Sequence, residues 1–214
     1  MQAQDYTVVG DISSAAFLIV GALISNSPGL EITNVGMNPS RTGVLEALQK
    51  MGANIEVKNQ RLESGEPCAD LLIKKSVLKG VELSGDIIPN IIDEIPIISI
   101  AAAFAEGETI IRDAEELRVK ESDRLEAVSD GFSRLGVAHK NFEDGMRIMG
   151  SPNPLLLDQS ISIESHEDHR IAMSFLIAGL KCSKPITVND CKNIFTSFPD
   201  FIELISSIGY KLEK

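Results

Sequence analysis

The hydrophobic positions of this chain change period in a regular order. The first pass predicts a helix, a strand, a second helix and then two strands. Its first helix is small or apolar on every side, which is typical of a helix buried all round, and Asp11 is placed to cap it. The second helix is amphipathic, with Ser40 as its cap and Gly52 as its stop. These elements are predicted at residues 12–24, 30–35, 42–51, 54–58 and 70–74.

The same order of elements then recurs. The second pass opens on another all-round apolar helix, in which Pro96 is tolerated because it falls in the first turn. Gly107 ends this helix, Gly136 ends the amphipathic helix, and residues 143–145 form a hairpin. The third pass ends on one short strand. These elements are predicted at residues 91–104, 109–112, 120–135, 137–142 and 146–149, and then at 168–180, 186–188, 200–208 and 210–212.

Three short apolar segments indicate that the passes are repeats of one unit. Each segment precedes a glycine that ends its helix, and each occupies the same place in its pass. A unit that cannot cover its own buried helix must pack against the others, which predicts one domain over residues 1–214. The predicted fold is α/β (α+β in some schemes), with three βαβαββ-type repeats, buried apolar helices inside and sheets outside. The repeats are predicted at about 6–76, 80–150 and 160–214, and the segments are Leu45-Glu46-Ala47-Leu48, Leu125-Glu126-Ala127-Val128 and Ile202-Glu203-Leu204-Ile205.

The composition limits the classes of function. A net charge of −11 and 43% hydrophobic residues indicate a globular protein without the basic face that a nucleic-acid partner requires. Three cysteines without CxxC spacing predict reduced thiols in the cytoplasm. No apolar segment approaches the roughly 20 residues of a membrane span, and no secretion signal is visible, so we expect a soluble protein without a membrane partner. GxGxxG and Walker loops are absent, which argues against a nucleotide-binding fold.

Charged residues gather at the N-terminal heads of the predicted buried helices. An all-apolar helix can carry charge only at its ends, and its N-terminus attracts anions. If the repeats surround a common axis, these heads and the start of the helix over 120–135 lie at one end of the domain. At about 100° per residue, Lys120, Glu121 and Arg124 share one arc of that helix. The predicted site comprises Asp93, Lys120, Glu121, Arg124, His169 and Arg170.

Each of these features also has a purely structural interpretation. Asp11, Asp93 and Asp168 are all suited to be N-caps, and for Asp11 we adopt that interpretation. On periodicity alone, the Lys120 segment would be an exposed, salt-bridged helix start. The two histidines within residues 166–169 lack the spacing of a zinc motif, so no metal is expected.

Five motifs resemble those of the 5-enolpyruvylshikimate-3-phosphate (EPSP) synthase family, in the right order along essentially the whole chain. The resemblance implies a two-domain enzyme about twice this length, of which this chain is the C-terminal half. The other half would carry the Pro-Gly-Ser-Lys-Ser-like segment and the phosphoshikimate-binding serines, so this chain alone is expected to be inactive. The motifs are Arg118-Val119-Lys120-Glu121-Ser122-Asp123-Arg124, Asp168-His169-Arg170-Ile171-Ala172-Met173, Gly10-Asp11-Ile12-Ser13-Ser14-Ala15, Asp93-Glu94-Ile95-Pro96 and Thr196-Ser197-Phe198-Pro199.

The resemblance also implies a reaction and catalytic roles. The family transfers the enolpyruvyl group of phosphoenolpyruvate to the 5-hydroxyl of shikimate 3-phosphate, through a tetrahedral intermediate that loses phosphate. Such chemistry requires a base, an acid and cations. By resemblance, Asp93 would be the base for the hydroxyl, and Glu121 would exchange the proton of the phosphoenolpyruvate methylene. Lys120 would assist both the hydroxyl and the departing charge.

The implied substrate-binding residues are Lys120, Arg124, His169 and Arg170. The two arginines would clamp the phosphoenolpyruvate carboxylate, because a guanidinium fork matches a carboxylate better than an ammonium does. His169 would line the same pocket. No cofactor is implied, and the expected partners are the two substrates and the missing N-terminal domain, with the protein otherwise a monomer.

Two positions depart from a common family pattern. Glu116 stands where many members have Asn, and Thr196 stands where one branch has a phosphate-binding lysine. Two alternatives remain beside this interpretation. One is the sister UDP-N-acetylglucosamine enolpyruvyl transferase, which shares the repeat architecture but lacks the Arg-Val-Lys-Glu-Ser-Asp-Arg run. The other is a non-catalytic repeat module that binds a partner protein.

Overall fold

The computed structural model describes residues 5–212, and its first unit is built on the buried helix α1 (Ile12–Ile24). Asp11 caps α1 as predicted, because its side chain accepts a hydrogen bond from the Ser14 backbone N–H at 2.9 Å. The unit continues with β1 (Leu30–Gly36), α2 (Gly43–Lys50), β2 (Asn54–Glu63) and β3 (Glu66–Lys74). The strands form an antiparallel sheet in the order β1-β3-β2, and Gly10 adds a parallel bridge to Val35.

The second unit repeats this order with a wider sheet. It contains β4 (Glu82–Leu83), α3 (Ile88–Ile91), α4 (Ile95–Ala103), β5 (Gly107–Ile111), α5 (Arg124–Leu135), β6 (His139–Phe142) and β7 (Gly145–Gly150). Short 3-10 segments lie at Gly85–Ile87, Ile92–Glu94 and Glu115–Val119. The strand order is β4-β5-β7-β6, in which β4 is parallel to β5 and the other neighbours are antiparallel.

The third unit has only the first part of this pattern. It contains β8 (Ile161–Glu164), α6 (His169–Ala178), β9 (Ile186–Asn189), α7 (Ile194–Ser197) and α8 (Phe201–Ser207), with 3-10 segments at Gly179–Lys181 and Cys191–Asn193. β8 and β9 pair in parallel as β4 and β5 do. Residues 210–212, predicted as a final strand, form no strand, and the hairpin of the first two units has no counterpart in the described part of this unit.

The core is made by the three apolar helices α1, α4 and α6, which contact one another. Every residue of α4 is buried, and all of α1 except Ser14 is buried. The glycines that follow α2, α5 and α8 all have the left-handed backbone, with φ of +89° at Gly52, +71° at Gly136 and +95° at Gly209. The predicted α/β class with buried apolar helices is therefore confirmed. None of the helices within residues 5–212 is long and apolar enough to cross a membrane.

The predicted helix over 91–104 is interrupted. Asp93 and Glu94 lie in the 3-10 segment Ile92–Glu94, and α4 begins only at Ile95, with Pro96 in its first turn. Proline lacks an N–H and clashes with the preceding turn, so a regular helix can start at Pro96 but cannot run through it. The helix ends at Ala103, and Gly107 is the first residue of β5 rather than the helix stop.

The predicted helix over 120–135 begins four residues late. Asp123 is its N-cap and accepts a hydrogen bond from the Glu126 backbone N–H at 3.0 Å, so the helix starts at Arg124. Lys120 has an extended backbone and Glu121 lies in the connection between the 3-10 segment and α5. The prediction that Lys120, Glu121 and Arg124 share one arc of a helix is therefore wrong. The Asp123 side chain binds a free N–H of the first turn and so fixes the start of the helix after residues 120 and 121.

Smaller differences have local causes. Ser40 does not cap α2, because its hydroxyl donates to the Asn38 side chain at 2.9 Å and Thr42 precedes the helix instead. The segment predicted as a polar hairpin between the first pair of strands continues their antiparallel pairing. β2 and β3 therefore extend up to a turn at Gly65. The two- and four-residue strands β4 and β8 and the short helix α7 were not predicted, since so few residues carry no recognisable period.

A close helix contact gives a test of this packing. An added Cβ on Gly131 of α5 would lie 2.0 Å from Cζ of Phe175, a buried ring of α6. We expect Gly131→Ala to lower the free energy of unfolding by about 1–3 kcal/mol despite the better helix propensity of alanine. The matched control is Gly21→Ala in α1, where the Cβ would lie 3.4 Å from Ile177. Urea unfolding followed by circular dichroism should show the loss only for Gly131→Ala; equal midpoints for the two variants would contradict this packing.

Candidate active site

Arg124, the first residue of α5, lies at the centre of the charged cluster, with a side chain that is only 1% exposed. Its Nε donates to Asp168 Oδ2 at 2.8 Å, and its Nη1 donates to Asp93 Oδ1 at 3.0 Å. Its Nη2 donates to Glu121 Oε2 at 2.5 Å. A buried guanidinium is costly unless it is paired and hydrogen-bonded, and here three carboxylates meet that requirement.

Asp168 is fully buried and holds two parts of the cluster together. Its Oδ1 accepts from the backbone N–H groups of Arg170 at 2.9 Å and Ile171 at 3.4 Å, which makes it the N-cap of α6. Its Oδ2 accepts from Arg124 Nε and, at 3.2 Å, from the hydroxyl of Ser122. The cap predicted at Asp168 is confirmed, and the same carboxylate also fixes the arginine.

Asp93 is surrounded by three cations. Besides Arg124, its carboxylate lies 3.5 Å from Lys120 Nζ and 3.8 Å from Arg170 Nη2. Burial disfavours the charged form, but the positive charges of Arg170, Lys120 and Arg124 outweigh it and hold the pKa of Asp93 below its ordinary value. Asp93 is therefore ionised at neutral pH and can accept a proton.

Arg170 is held from the side of α4. Its Nη1 donates to the Asp93 backbone carbonyl and to Glu94 Oε1, each at 3.1 Å. Glu94 is buried, with 5% of its surface exposed, so this pair orients the guanidinium from within the protein. Within residues 5–212, the other terminal nitrogen, Nη2, forms no hydrogen bond and keeps its donors available.

Lys120 is paired with Glu116, four residues earlier and at 2.5 Å. The hydrogen bond that Lys120 donates to Glu116 raises the pKa of Lys120, and the charge of Asp93 adds to this effect against the opposing effect of burial. The side chain is thus an ammonium ion at neutral pH. Glu116, the residue that departs from the common family pattern, acts here on Lys120.

His169, the first residue of α6, is half-buried beside these charges. Burial and then the positive charge of Arg170 lower the pKa of His169, although Asp168 and Glu121 act in the opposite direction. Its imidazole is therefore neutral near pH 7 and can both donate and accept one hydrogen bond.

The six residues predicted as the site do lie together. Asp93, Lys120, Glu121, Arg124 and Arg170 are connected by direct contacts, and His169 joins them through its interactions with the surrounding charges. Their catalytic and binding roles stay predictions.

Two acidic residues of the cluster had been given no site role from the sequence: the buried partner of Arg170, Glu94, and the partner of Lys120, Glu116. Glu94 is the neighbour of Asp93 in the sequence, and Glu116 lies four residues before Lys120. That spacing was the available signal, but nothing in the sequence showed that Glu94 is buried.

The head of the first repeat stays apart. Asp11 caps α1 and pairs with Arg41 at 3.2 Å, and Arg41 also donates to the Ser13 hydroxyl at 2.8 Å. This agrees with the purely structural interpretation of Asp11. The part of the chain that the structure describes contains no group of three or more His, Cys, Asp or Glu side chains arranged for a metal ion.

Sequence comparison assigns the chain that carries this cluster to a known family. A sequence model of the family described as EPSP synthase (3-phosphoshikimate 1-carboxyvinyltransferase) matches residues 1–205. The chain belongs to the EPSP synthase family. A 3-phosphoshikimate 1-carboxyvinyltransferase of Magnetococcus marinus is 47% identical over 213 residues, which are 100% of this chain and 47% of that relative. One of Geobacter sulfurreducens is 48% identical over 211 residues, 99% of this chain and 48% of that relative. This EPSP synthase family chain thus spans about half the length of the curated relatives that it matches.

Solved structures agree with the family. An EPSP synthase of Acinetobacter baumannii matches with a TM-score of 0.92 and 47% identity, covering 96% of this chain and 47% of that one. The enolpyruvyl transferase NikO of Streptomyces tendae matches with a TM-score of 0.72 and 21% identity, covering 97% of this chain and 45% of that one. The second likeness concerns the fold alone.

The charges around His169 predict how its titration responds to substitution. In this EPSP synthase family chain, the NMR titration midpoint of His169 should lie below the usual value of about 6.5. Arg170→Gln removes a positive neighbour and should raise the midpoint, whereas Glu121→Gln removes a negative one and should lower it further. Arg170→Lys keeps the charge and should change the midpoint least. A rise in Glu121→Gln would contradict the described environment.

Proposed function

We propose that this chain is the C-terminal half of an enzyme that transfers the enolpyruvyl group of phosphoenolpyruvate to the 5-hydroxyl of shikimate 3-phosphate, with release of phosphate. The observation that carries the proposal is the convergence of three cations, Arg124, Arg170 and Lys120, on the ionised Asp93. Glu121 lies beside them and pairs with Arg124. The names and sequences of the relatives support this choice of reaction.

The two arginines would bind the phosphoenolpyruvate carboxylate. Arg170 offers Nη2, whose donors are free within the described residues, and Glu94 holds the rest of its guanidinium in place. Two guanidinium groups suit a planar carboxylate, since each presents parallel N–H donors in a fixed fork. The net charge of −11 makes such a local cation cluster necessary for any anionic substrate.

Binding would require an exchange of ion-pair partners at Arg124, because all three of its nitrogen atoms already donate to carboxylates. Asp168 is fully buried and also caps α6, so it would stay. Glu121 and Asp93 have side chains that are 53% and 43% exposed, so these are the partners that the substrate carboxylate would displace. The substrate would thereby release the two groups proposed for proton transfer.

Asp93 would act as the base. It would accept the proton of the 5-hydroxyl while the hydroxyl oxygen attacks C2 of phosphoenolpyruvate. The neighbouring cations hold its pKa low, and a substrate anion that takes up part of their charge would make Asp93 a stronger base. This links the arrival of one substrate to the activation of the other.

Glu121 would act as the acid that protonates the methylene carbon, which completes the tetrahedral intermediate. The Glu121 carboxylate would then take a proton back from the new methyl group as the C2–O bond to phosphate breaks, which restores the double bond. Lys120, held as an ammonium ion by Glu116, would stabilise the negative charge at the hydroxyl and at the departing phosphate. Neutral His169 would line the pocket.

The other half of the reaction site would come from the N-terminal half of the enzyme. We propose that residues 1–214 form one domain of three repeats, at about 6–76, 80–150 and 160–214, and that the second domain supplies the wall that holds shikimate 3-phosphate. The coverage of relatives supports this, since the chain matches 47% of the Magnetococcus marinus protein. The cytoplasm is the proposed location, as three cysteines without CxxC spacing suit a reducing compartment.

The role of Glu121 can be tested in the reconstituted two-domain enzyme. Glu121→Gln keeps the shape of the side chain but removes the transferable proton, so turnover should fall by roughly 10²–10⁴-fold while substrate binding survives. In D₂O, exchange of deuterium into the phosphoenolpyruvate methylene should be lost more completely in Glu121→Gln than in Asp93→Asn. Mass spectrometry of recovered phosphoenolpyruvate measures this exchange.

The matched control for this experiment is Glu126→Gln on the first turn of α5, where the exposed carboxylate accepts, among residues 5–212, only from Asn141 at 3.3 Å. Its exchange and turnover should equal those of the unaltered enzyme. Unchanged methylene exchange in Glu121→Gln would remove Glu121 as the acid and leave Lys120 as the next candidate.

The chain alone should show no measurable transfer. Positioning of two substrates and exclusion of water supply much of an enzyme's rate, and half of the proposed site is outside this chain. Phosphate release from phosphoenolpyruvate and shikimate 3-phosphate should stay at background for the purified 214-residue chain. A full-length relative assayed in parallel is the positive control, and a comparable rate from the chain alone would refute the two-domain site.

A further inference from the structure

A cavity of about 360 Å³ lies at the opposite ends of the buried helices from the charged cluster. The cluster is built at the N-terminal ends of α4 and α6. The cavity is lined by Leu23 in the last turn of α1, Phe104 after α4 and Leu180 after α6. The 10 residues of α6 correspond to a separation of about 15 Å. The cavity is therefore a separate place in the protein, large enough for a small organic molecule.

Two lysines without an ion-pair partner among the described residues line this cavity. Neither the Lys75 nor the Lys181 ammonium forms an ion pair or a hydrogen bond there. Lys75 is exposed, as are the other lysines whose ammonium has no partner in that part of the chain, Lys79, Lys140, Lys192 and Lys211. Lys181 is half-buried, and its ammonium lies 5.3 Å from the centre of the Phe104 ring. Burial and the charge of Lys75 lower the pKa of Lys181, which shows that the two cations repel each other.

Nothing in the described lining neutralises the two charges. Within residues 5–212, no aspartate or glutamate lines the cavity. Cys182 also lines it, but burial raises the pKa of this thiol to about 11, so the sulfur is uncharged at neutral pH. The helix C-termini attract cations only weakly, as partial charges. The half-buried ammonium of Lys181 and the exposed ammonium of Lys75 beside it thus have no counter-charge among the residues that the structure describes.

We propose that this cavity binds a small organic anion with an apolar body. Its carboxylate or phosphate group lies between Lys75 and Lys181, and its ring or alkyl group packs against Phe104 and Leu180. Ser25 and Ser76 also line the cavity, but their hydroxyls are hydrogen-bonded to Tyr210 and to the Lys74 carbonyl, so the two lysines supply the contacts to the anionic group. This proposal does not depend on the reaction proposed above, because none of these residues belongs to the charged cluster.

Benzoate and phenyl phosphate are suitable probes, with benzyl alcohol as a neutral molecule of similar size. Isothermal titration calorimetry on the 214-residue chain should show binding of at least one anion and much weaker binding of benzyl alcohol. Lys75→Gln and Lys181→Gln should each weaken anion binding about fivefold, and raising the salt concentration should weaken it as well. The matched control is Lys192→Gln, which removes the same charge from an exposed position and should change nothing.

NMR locates the bound probe. The methyl signals of Leu23 and Leu180 should shift on titration, while those of Leu125, next to Arg124, should not. Shifts at Leu125 with none at Leu180 would assign the anion to the charged cluster and overturn the proposal. The proposal also fails if neither anion binds more tightly than benzyl alcohol, or if the double variant Lys75→Gln, Lys181→Gln binds as the unaltered chain does.

Discussion

The buried guanidinium of Arg124 is the constraint on which the charged end of this protein depends. A cation that is 1% exposed must be surrounded by acceptors, and its three carboxylate partners come from different parts of the chain. Asp168 comes from the head of α6, Asp93 from the segment before α4 and Glu121 from the connection before α5. One side chain thus ties together three segments, which the pairs of Arg170 with Glu94 and of Ser122 with Asp168 also hold in place.

Much of this arrangement could be predicted from the sequence, because it follows from strong periodic signals. The all-round apolar helices and the glycines after α2, α5 and α8 left a clear pattern, and the charged heads followed from the rule that such helices carry charge only at their ends. The set of six site residues was found by that rule and by family resemblance. The shared arc proposed for three of them was wrong, yet the folded connection brings the same side chains together.

The helix starts could not be predicted as well, because they are decided by local competition. Asp123 accepts from the free N–H of Glu126 in the first turn of α5, and Pro96 limits where α4 can begin. Both effects are visible in the sequence, but periodicity extends across them. Burial was a different difficulty: Glu94 and Asp93 are adjacent, yet one is buried against Arg170 and the other is partly open. That distinction depends on packing between repeats, which no local pattern records.

The incomplete third unit has a consequence for how this chain behaves at high concentration. β5 has a hydrogen-bonded neighbour on each side, whereas its counterpart β9 pairs only with β8 in the described part of the chain. The outer edge of β9 therefore presents unpaired backbone N–H and C=O groups, which can accept a strand from another molecule. A strand that covers this edge would protect the protein from edge-to-edge association. This edge of β9 is thus one place where purified chains can associate, beside the other outer strands of the three sheets.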